Sequence, residues 1–416
     1  MQVFKFGGAS VKDANGVRNL VAVLEKTGHN NTLIVTSAMG KMTNALEDVV
    51  AKYFNKKNEL DASLKAVVQF HKHILIDLFE NESHPVFKKI DILFDELKVF
   101  FKTNKSPDYN FVYDQVIGYG ELASTTIVSS YLNYKSIKSE WLDVRPLIKT
   151  DNYYRYANVN WEATQEAISK TVKNNTLYIT QGFLGSDANN FTTTLGREGS
   201  DYTAAIFGYC LNAKSVTIWK DVPGVLNADP RYFSETQLLE NISYTEAIEL
   251  AFYGASVIHP KTLQPLQQKE IPLHVKSFLN PLNPGTVVNK VQGITPLLPC
   301  FILKQNLVLV SISTLDFSYI VEENISEIFT LLAKYKMKVD VIQNSAISFS
   351  VCFDNTFNNL PELLLALKAK FKVTCHENIN LFTVRHFDDE VIAKLEEGKQ
   401  ILLKQQLKET VQIVTK

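Results

Sequence analysis

A lysine two residues before a pair of glycines is the first feature of this sequence that could do chemistry. Lys5 stands in an apolar run, Gln2–Phe6, and the segment Gly7–Ser10 follows it. A lysine in so hydrophobic a strand is costly unless it has an anionic partner. Glycines let the backbone approach a ligand closely, and successive N–H groups in a turn bind anions. The pattern predicts phosphate binding at the carboxyl end of a strand, and an edge-strand lysine before a tight turn explains it equally well.

Two further loops carry polar residues at the start of a helix. The segment Thr36–Asn44 offers three hydroxyls and a glycine, which can hold an anion but more simply cap the helix. The segment Gly196–Asp201 contains Arg197, whose planar guanidinium suits a carboxylate or a phosphate. Capping explains Ser200 and Asp201, whereas an arginine between glycines favours ligand binding.

A third loop follows the apolar strand that ends at Trp219. Lys220-Asp221 comes first, then Val222-Pro223-Gly224, and Asp229-Pro230-Arg231 a few residues later. An aspartate there could accept a hydrogen bond from a ribose. A solvated turn is an equally good reading.

A match to the dinucleotide fingerprint is present but weak. Gly118–Ala123 fits G-x-G-x-x-A, but the preceding residues, Tyr113–Ile117, make a poor buried strand. His71 and His73 are spaced for opposite faces of a helix, and we expect both at the surface. His259-Pro260 is a lone histidine, and the sequence has neither the H-E-x-x-H motif nor a serine elbow.

The elements that must position these loops alternate between strands and helices. This alternation predicts parallel pairing through right-handed crossovers. Residues 60–105 carry two helical patterns with no strand between them, which indicates a helical insertion. The predicted strands are Gln2–Phe6, Thr32–Thr36, Ser136–Leu142, Thr176–Gly182, Ser215–Trp219 and Ile271–Lys276, and the predicted helices are Ala14–Lys26, Thr43–Tyr53, Leu60–Phe79, Glu121–Asn133, Trp161–Val172, Tyr202–Leu211 and Tyr244–Tyr253.

The last third of the chain predicts a second domain. Prolines and glycines cluster between Asn280 and Pro299, so we expect a linker at 286–300. Beyond it the pattern is β-α-β-β-α-β, the ferredoxin-like arrangement. A helix over Glu390–Leu403 and a short strand over Val411–Val414 are predicted to follow.

Composition limits the class of protein. The chain has 416 residues, with 43 Lys plus Arg against 44 Asp plus Glu, so its net charge is -1. This balance argues against a dedicated nucleic-acid binder, and no apolar run is long enough for a membrane span. The first residues lack a secretory pattern, and the four dispersed cysteines fit a reduced, cytoplasmic protein.

Taken in order, these motifs resemble the aspartate kinases of the amino-acid kinase superfamily. The resemblance implies an α/β catalytic domain with a mostly parallel sheet over residues 1–285 and an ACT-type, ferredoxin-like regulatory region over 301–416, with the second ACT module shortened. The residues that carry it are Lys5–Ser10, Ser37–Gly40 with Thr43-Asn44, Gly120–Ser124, Gln181–Phe183, Gly196–Thr203, Asp221–Gly224, Asp229–Arg231 and Gly254–Pro260.

The resemblance also implies a reaction and its residues. The family transfers the γ-phosphoryl group of ATP, with Mg²⁺, to the β-carboxylate of L-aspartate, the first step towards lysine, threonine and methionine. Asp201 would orient Lys5. The side chains expected at the nucleotide are Lys5, Phe6, Gly7, Gly8, Ser10, Lys220, Asp221, Arg231 and Ser256; those expected at aspartate are Thr43, Glu121, Phe183, Arg197 and Ser200; and those expected at a lysine or threonine effector are Asp340, Asn344 and Ser345.

Four positions depart from the family pattern. Glu198 replaces a glycine, Lys220 a threonine, Leu226 a tyrosine and Ser256 a lysine. We hypothesise that the cation gained at 220 offsets the one lost at 256. Two alternatives stay open: a kinase for another carboxylate of the superfamily, and a non-catalytic amino-acid-sensing subunit. ACT modules commonly pair between subunits, so we expect a homodimer.

Overall fold

The computed structural model describes residues 1–255, 258–316 and 318–416. They divide into two compact units. Of the described residues, the first unit comprises 1–225, 238–248 and 258–295, and the second comprises 226–237, 249–255, 296–316 and 318–416.

A nine-stranded, mostly parallel sheet forms the centre of the first unit in the described residues. Its strand order is β11-β8-β10-β9-β7-β1-β2-β4-β3, and a separate hairpin pairs β5 with β6. The strands are β1 (Gln2–Phe6), β2 (Thr32–Thr36), β3 (Glu140–Leu142), β4 (Tyr178–Gln181), β5 (Leu184–Ser186), β6 (Thr192–Thr194), β7 (Val216–Lys220), β8 (Asn241–Ser243), β9 (Leu273–Ser277), β10 (Thr286–Asn289) and β11 (Ile294–Thr295).

The predicted parallel sheet is thereby confirmed. Within the described residues of this nine-stranded sheet, only the pairs β9–β10 and β8–β11 are antiparallel. The helices along this part of the chain are α1 (Ala14–Thr27), α2 (Met42–Asn55), α3 (Lys57–Leu78), α4 (Pro85–Thr103), α5 (Tyr109–Ile117), α6 (Tyr119–Tyr134), α7 (Trp161–Thr171), α8 (Gly199–Cys210), α9 (Tyr244–Tyr253) and α10 (Pro260–Gln268).

The register of the central strands brings the polar loops to one edge. Strand β1 lies between β2 and β7, with Phe6 opposite both Thr36 and Trp219. Strand β2 in turn places Thr36 opposite Gln181 of β4. Parallel strands that end at one level release their loops at one level, and ligands of open α/β sheets bind there.

One prediction error in the first unit has a simple physical cause. Residues 286–295, expected to be a linker, form the short strands β10 and β11, because the prolines and glycines around them end strands without excluding them. The dinucleotide match of Gly118–Ala123, judged weak from the sequence, is excluded because helix α5, and not a strand, precedes it.

His71 is a second error. The predicted helical insertion is present as α3 and α4, but His71 is fully buried and contacts the rings of Phe70 and Phe94. Its Nδ1 is 2.8 Å from the Val67 carbonyl, and burial lowers the pKa of His71 to about 4. As the spacing predicted, His71 and His73 lie on different faces of α3. The face that carries His71 is covered by α4, and the pattern of one helix does not show that a second helix covers it.

The second unit is built on a six-stranded antiparallel sheet in the described residues. Its order is β13-β14-β12-β15-β17-β16. The strands are β12 (Cys300–Ser313), β13 (Lys338–Asn344), β14 (Ser348–Asp354), β15 (Lys372–Arg385), β16 (Ile401–Gln406) and β17 (Thr410–Thr415), with helices α11 (Glu322–Lys334), α12 (Leu360–Lys368) and α13 (Asp389–Glu396). The first four strands in this order have the predicted ferredoxin-like arrangement.

The long strands β12 and β15 extend beyond the ferredoxin-like module and also form part of a second, smaller module. Residues 300–304 of β12 pair with 381–385 of β15, whose far edge pairs with β17. The ladder shifts register after Lys304, and Asn306 and Asn378 adopt left-handed backbone conformations there. The helix expected over Glu390–Leu403 ends at Glu396, and β16 follows. Gly398, at φ +69°, ends the helical pattern.

Among the residues that the structure describes, every helix is too short or too polar to cross a bilayer.

Replacement of His71 by leucine should reduce the acid sensitivity of the fold. An unfolded histidine has a pKa near its ordinary 6.5, so the unfolded chain binds the proton first and stability falls as pH drops from 6.5 towards 4. Between pH 7.5 and 5, we expect the wild type to lose about 2 kcal/mol more than His71→Leu in urea unfolding.

The matched control is His73→Gln, because His73 lies on the same helix with a side chain that is 78% exposed. The control should keep the wild-type pH dependence. Equal acid sensitivity in the wild type and His71→Leu would show that another group is responsible.

Candidate active site

A polar cleft of about 520 Å³ opens where the central strands of the first unit end. It collects residues from the ends of β1 and β7, from the loops after β2 and β4, from α2, α5 and α6, from the turn 153–156, and from the first turn of α8 with the loop before it. The lining residues are Lys5, Ser37, Thr43, Asn44, Glu47, Tyr113, Glu121, Arg155, Tyr156, Phe183, Gly196, Arg197, Glu198, Gly199, Ser200, Asp201 and Lys220.

A buried ion pair lies in this cleft. The Lys5 Nζ is 2.6 Å from the Asp201 carboxylate, and the two side chains are 11% and 5% exposed. Lys5 comes from β1 and Asp201 from the first turn of α8. A Cβ at Gly7 would lie 3.1 Å from the Lys5 Nζ, so a glycine keeps space beside the ammonium.

Gly8 allows the loop after β1 to pack closely against the loop after β2. A Cβ at Gly8 would lie 2.8 Å from the Ala38 carbonyl oxygen and 2.9 Å from that of Gly40. The Gly40 N–H donates to the Gly8 carbonyl at 3.0 Å. Both obstacles are backbone atoms, so any side chain at position 8 would push the loops apart.

The side chains of Phe6 and Ser10, on either side of the glycines, contact Trp219 in the interior of the fold. The Phe6 ring is buried and stacks on Trp219 with centroids 6.0 Å apart. The Ser10 hydroxyl is buried and donates to the Trp219 carbonyl at 3.3 Å. Of the Phe6 residue, therefore, only the backbone is placed to meet a ligand.

Glu121 is a buried carboxyl group at the wall of the cleft. Its Oε1 accepts a 3.3 Å hydrogen bond from the Ala38 N–H, and its Oε2 is buried with no hydrogen-bond partner in the described part of the chain. Burial raises the pKa of Glu121 to about 8. A buried acceptor in this state is suited to a cationic ligand group.

The Phe183 and Arg197 loops are packed tightly together. Phe183 has φ +73°, and its N–H donates to the Thr203 hydroxyl at 2.9 Å. A Cβ at Gly182 would lie 2.5 Å from the Ser200 Cβ. Glu198 has φ +54°, a left-handed conformation that explains why a glycine suits this position, and its Oε2 is buried with no hydrogen-bond partner among the described residues.

The residues expected at aspartate line one cleft with Lys5 and Asp201. Thr43 comes from the first turn of α2, and Arg197 is exposed, with no ion pair in the described part of the chain. The five are Thr43, Glu121, Phe183, Arg197 and Ser200.

The residues expected at the nucleotide are more scattered. Lys220 lines the cleft, whereas Asp221 is exposed in the turn that follows β7. Arg231 lies in the second unit, where its guanidinium binds Asp229 at 2.5 Å. Ser256 lies outside the described residues.

The three residues expected at an effector are in the second unit. Asp340 of β13 forms an ion pair with Lys304 at 2.6 Å, and its side chain is 7% exposed. Asn344 is exposed at the end of β13, and the hydroxyl of Ser345 is 2.7 Å from that of Ser348.

Four cleft residues were not anticipated from the sequence: Glu47, Tyr113, Arg155 and Tyr156. They belong to no motif, and two of them lie in the irregular turn 153–156. The one sequence feature that could have pointed to this part of the cleft is Asp114, a carboxylate in an apolar run. It is fully buried and accepts hydrogen bonds from the Arg155 N–H at 3.0 Å and from the Thr194 N–H and hydroxyl at 2.9 and 2.8 Å.

Comparison with known proteins identifies the family. The model described as "Amino acid kinase family" matches residues 1–277, more than half of the chain. Lysine-sensitive aspartokinase 3 of Escherichia coli (strain K12) is 32% identical over 392 residues, which cover 91% of this chain and 85% of that protein. The chain belongs to the amino acid kinase family, within its aspartokinase branch. The resemblance seen in the motifs is thereby confirmed.

Solved aspartokinases share the fold. The chain resembles E. coli aspartokinase III in complex with lysine and aspartate (T-state) with a TM-score of 0.85 and 29% identity, covering 100% of this chain and 95% of that one. The same protein in complex with aspartate and ADP (R-state) gives a TM-score of 0.80 and 28% identity, covering 100% and 96%.

Replacement of Asp114 by alanine should destabilise the wall of the cleft. The change leaves three donors without an acceptor, two of them on the buried Thr194 and one the partly buried Arg155 N–H. At about 1 kcal/mol each, we expect a loss of about 3 kcal/mol in the free energy of unfolding. Asp114→Asn keeps one acceptor oxygen and should lose less. Urea unfolding measures both, and wild-type stability in Asp114→Ala would contradict the role given to this carboxylate.

Proposed function

We propose that the chain is an ATP-dependent aspartate kinase that phosphorylates the β-carboxylate of L-aspartate, the first step towards lysine, threonine and methionine. The observation that carries the proposal is one cleft in which a buried lysine–aspartate pair lies with a loop arginine and a buried glutamate. Aspartokinase relatives and a solved structure with aspartate and ADP support it.

The phosphates of ATP are proposed to bind along the glycine loop. Lys5 would meet the transferred phosphoryl group, and the backbone of Gly7 and Gly8 would follow the phosphate chain, because the interlocked loops hold that backbone in place. Lys220 supplies a further cation at the cleft. Asp201 holds the Lys5 ammonium, so the cation is positioned before the nucleotide arrives.

Aspartate is proposed to bind at the remaining walls. Arg197 suits the α-carboxylate through bidentate hydrogen bonds. Glu121 would receive the ammonium group, since its buried Oε2 has no partner among the described residues. Thr43, Phe183 and Ser200 would complete the pocket.

This chemistry needs alignment and charge neutralisation more than acid–base catalysis. The β-carboxylate of aspartate, with a pKa near 3.9, is already ionised at neutral pH and needs no general base. Lys5 attracts the equatorial phosphate oxygens, on which charge is spread in the transition state. The rigid loops keep the reacting groups in line.

We propose that Mg²⁺ enters with the nucleotide. In the described residues, no group of three or more His, Cys, Asp or Glu side chains could hold a metal ion. This composition suits an ion held mainly by phosphate oxygens and water, as Mg²⁺ prefers. When bound, it would neutralise charge on the phosphates. Arg231 and Ser256 stay proposed nucleotide contacts on the family pattern alone.

Regulation is proposed to act through the second unit. The relative is named as lysine-sensitive, and the Asp340–Lys304 ion pair offers a carboxylate for which a lysine or threonine ammonium would compete. Asn344 and Ser345 are proposed to complete this effector site.

We further propose a homodimer, formed through β13, which is an edge strand with Ile342 exposed. A cytoplasmic location is also part of the proposal, because the buried thiols Cys210 and Cys352 suit a reducing compartment.

The decisive experiment measures ADP release with Mg-ATP and L-aspartate, with hydroxylamine to trap an acyl phosphate. Parallel assays use L-glutamate, acetylglutamate and no acceptor. An aspartate-dependent hydroxamate would establish the activity. Turnover with another acceptor alone would make the chain a sister kinase, and lysine or threonine binding without turnover would make it a sensor.

Replacement of Lys5 by alanine should abolish most turnover. The lost ammonium should lower kcat about 100- to 1,000-fold, as for other groups that stabilise developing charge. Lys26→Ala is the control, since Lys26 is exposed in the last turn of α1. A Lys5→Ala variant with wild-type kcat would remove Lys5 from the reaction.

Glu121 should give the Michaelis constant for aspartate a pH dependence. Only its ionised form attracts the ammonium, and with a pKa of about 8 that form is scarce at pH 7 and dominant at pH 8.5. The KM should therefore fall about eightfold between these pH values, in proportion to the competent fraction. Glu121→Gln should have a high KM that does not change with pH, and a KM that still falls in this variant would assign the effect elsewhere.

A further inference from the structure

The turn 153–156 holds an arginine in an unusual backbone conformation. Arg155 has φ +72°, a region that side chains larger than asparagine rarely adopt. The buried Asp114 carboxylate fixes this conformation by accepting from the Arg155 N–H at 3.0 and 3.1 Å. The same carboxylate binds Thr194, so the turn is tied to β6. Strained residues persist where the surroundings hold them firmly, and they concentrate at functional sites.

The side chain of Arg155 is presented to the cleft. Its guanidinium carbon lies 4.3 Å from the centre of the Tyr113 ring, and one of its nitrogens is 3.5 Å from the Glu47 carboxylate. An arginine stacked on an aromatic ring keeps the N–H groups at its edge directed outwards. The Glu47 contact is at the outer limit of a hydrogen bond, and both side chains are partly exposed.

The Arg155 turn also packs directly on the Arg197 loop. A Cβ at Gly196 would lie 2.7 Å from the Tyr156 ring and 3.3 Å from the Arg155 carbonyl oxygen. The two segments are therefore in van der Waals contact, and both arginines line the same cleft as Lys5. Lys5 is held at 2.6 Å by the buried Asp201, whereas Arg155 has only a 3.5 Å contact with a partly exposed Glu47. Arg155 and Arg197 are the two arginines of the cleft lining.

We infer that Arg155 is a specificity-determining residue that binds the non-reacting α-carboxylate of the acceptor together with Arg197. The inference rests on the proposed function. The β-carboxylate must lie beside Lys5 for phosphoryl transfer, so the second carboxylate of a short dicarboxylate points towards the arginine side of the cleft. Two guanidinium groups on one carboxylate select an amino acid with two acid groups over one without the second. Glu47 is the resident partner of Arg155 and leaves it when the acceptor binds.

Arg155→Asn and Arg155→Gly test the side chain without disturbing the turn. Both residues tolerate a left-handed backbone, so folding should be preserved, and the thermal midpoints check this. We expect the KM for L-aspartate to rise about 10- to 100-fold, as for the loss of a hydrogen-bonded charge. The kcat and the KM for ATP should stay within about threefold, because the reacting groups are untouched.

The α-amide of L-aspartate separates recognition from a structural role. This acceptor keeps the β-carboxylate and lacks the α-carboxylate, so the wild type and Arg155→Asn should use it with KM values within about threefold of each other. Glu47→Gln should move in the opposite direction, with a lower KM for L-aspartate, since Arg155 loses its resident partner.

Two results would overturn the inference. One is an unchanged KM for L-aspartate in both Arg155 variants while the wild type is active. The other is an equal loss on L-aspartate and its α-amide, which would make Arg155 a structural residue of the turn. A wild type that neither binds nor phosphorylates L-aspartate would instead refute the proposed function, and the inference with it. The assay of the unmodified chain distinguishes that case.

Discussion

The buried pair of Lys5 and Asp201 is the interaction on which the cleft depends. Two charges with side chains at most 11% exposed lose their hydration, and the loss of one partner from such a pair typically costs about 3 to 5 kcal/mol. The pair exists because β1, inside a parallel sheet, delivers the lysine at its end while the first turn of α8 delivers the carboxylate. A sheet shifted by one residue would turn the lysine to the other face.

Close packing, more than attractive contacts, fixes the positions of the loops around this pair. A Cβ at Gly8 meets two carbonyl oxygens, and one at Gly182 meets Ser200. Side chains are thus excluded at the points where loops from different strands cross. Because the loops support one another, their backbone N–H groups need little reorganisation when an anion binds, which is the property that phosphoryl transfer requires.

The sequence predicted those features that depend on local pattern and failed where remote packing decides. Apolar runs located the central strands, and ordered motifs located Lys5, Arg197 and Asp201. Nothing local indicated that α4 would cover His71, that β10 and β11 would join the sheet, or that Asp114 would hold Arg155 in a left-handed conformation. Each of these depends on a partner distant in the chain, and Arg155 is 41 residues from the carboxylate that fixes it.

Charge balance explains how a cleft with so many ionic groups stays open to anions. Lys5 is paired with Asp201 and Arg155 with Glu47, and the raised pKa of Glu121 keeps that carboxyl group largely uncharged near neutral pH. Arg197, which is exposed and has no ion pair among the described residues, adds positive charge to the cleft. In the proposed reaction, an acceptor carboxylate can replace Glu47 as the partner of Arg155, so that this charge exchanges partners instead of losing one. Such an exchange lowers the desolvation cost of binding at this arginine, because its charge has an opposite charge nearby before and after the acceptor binds.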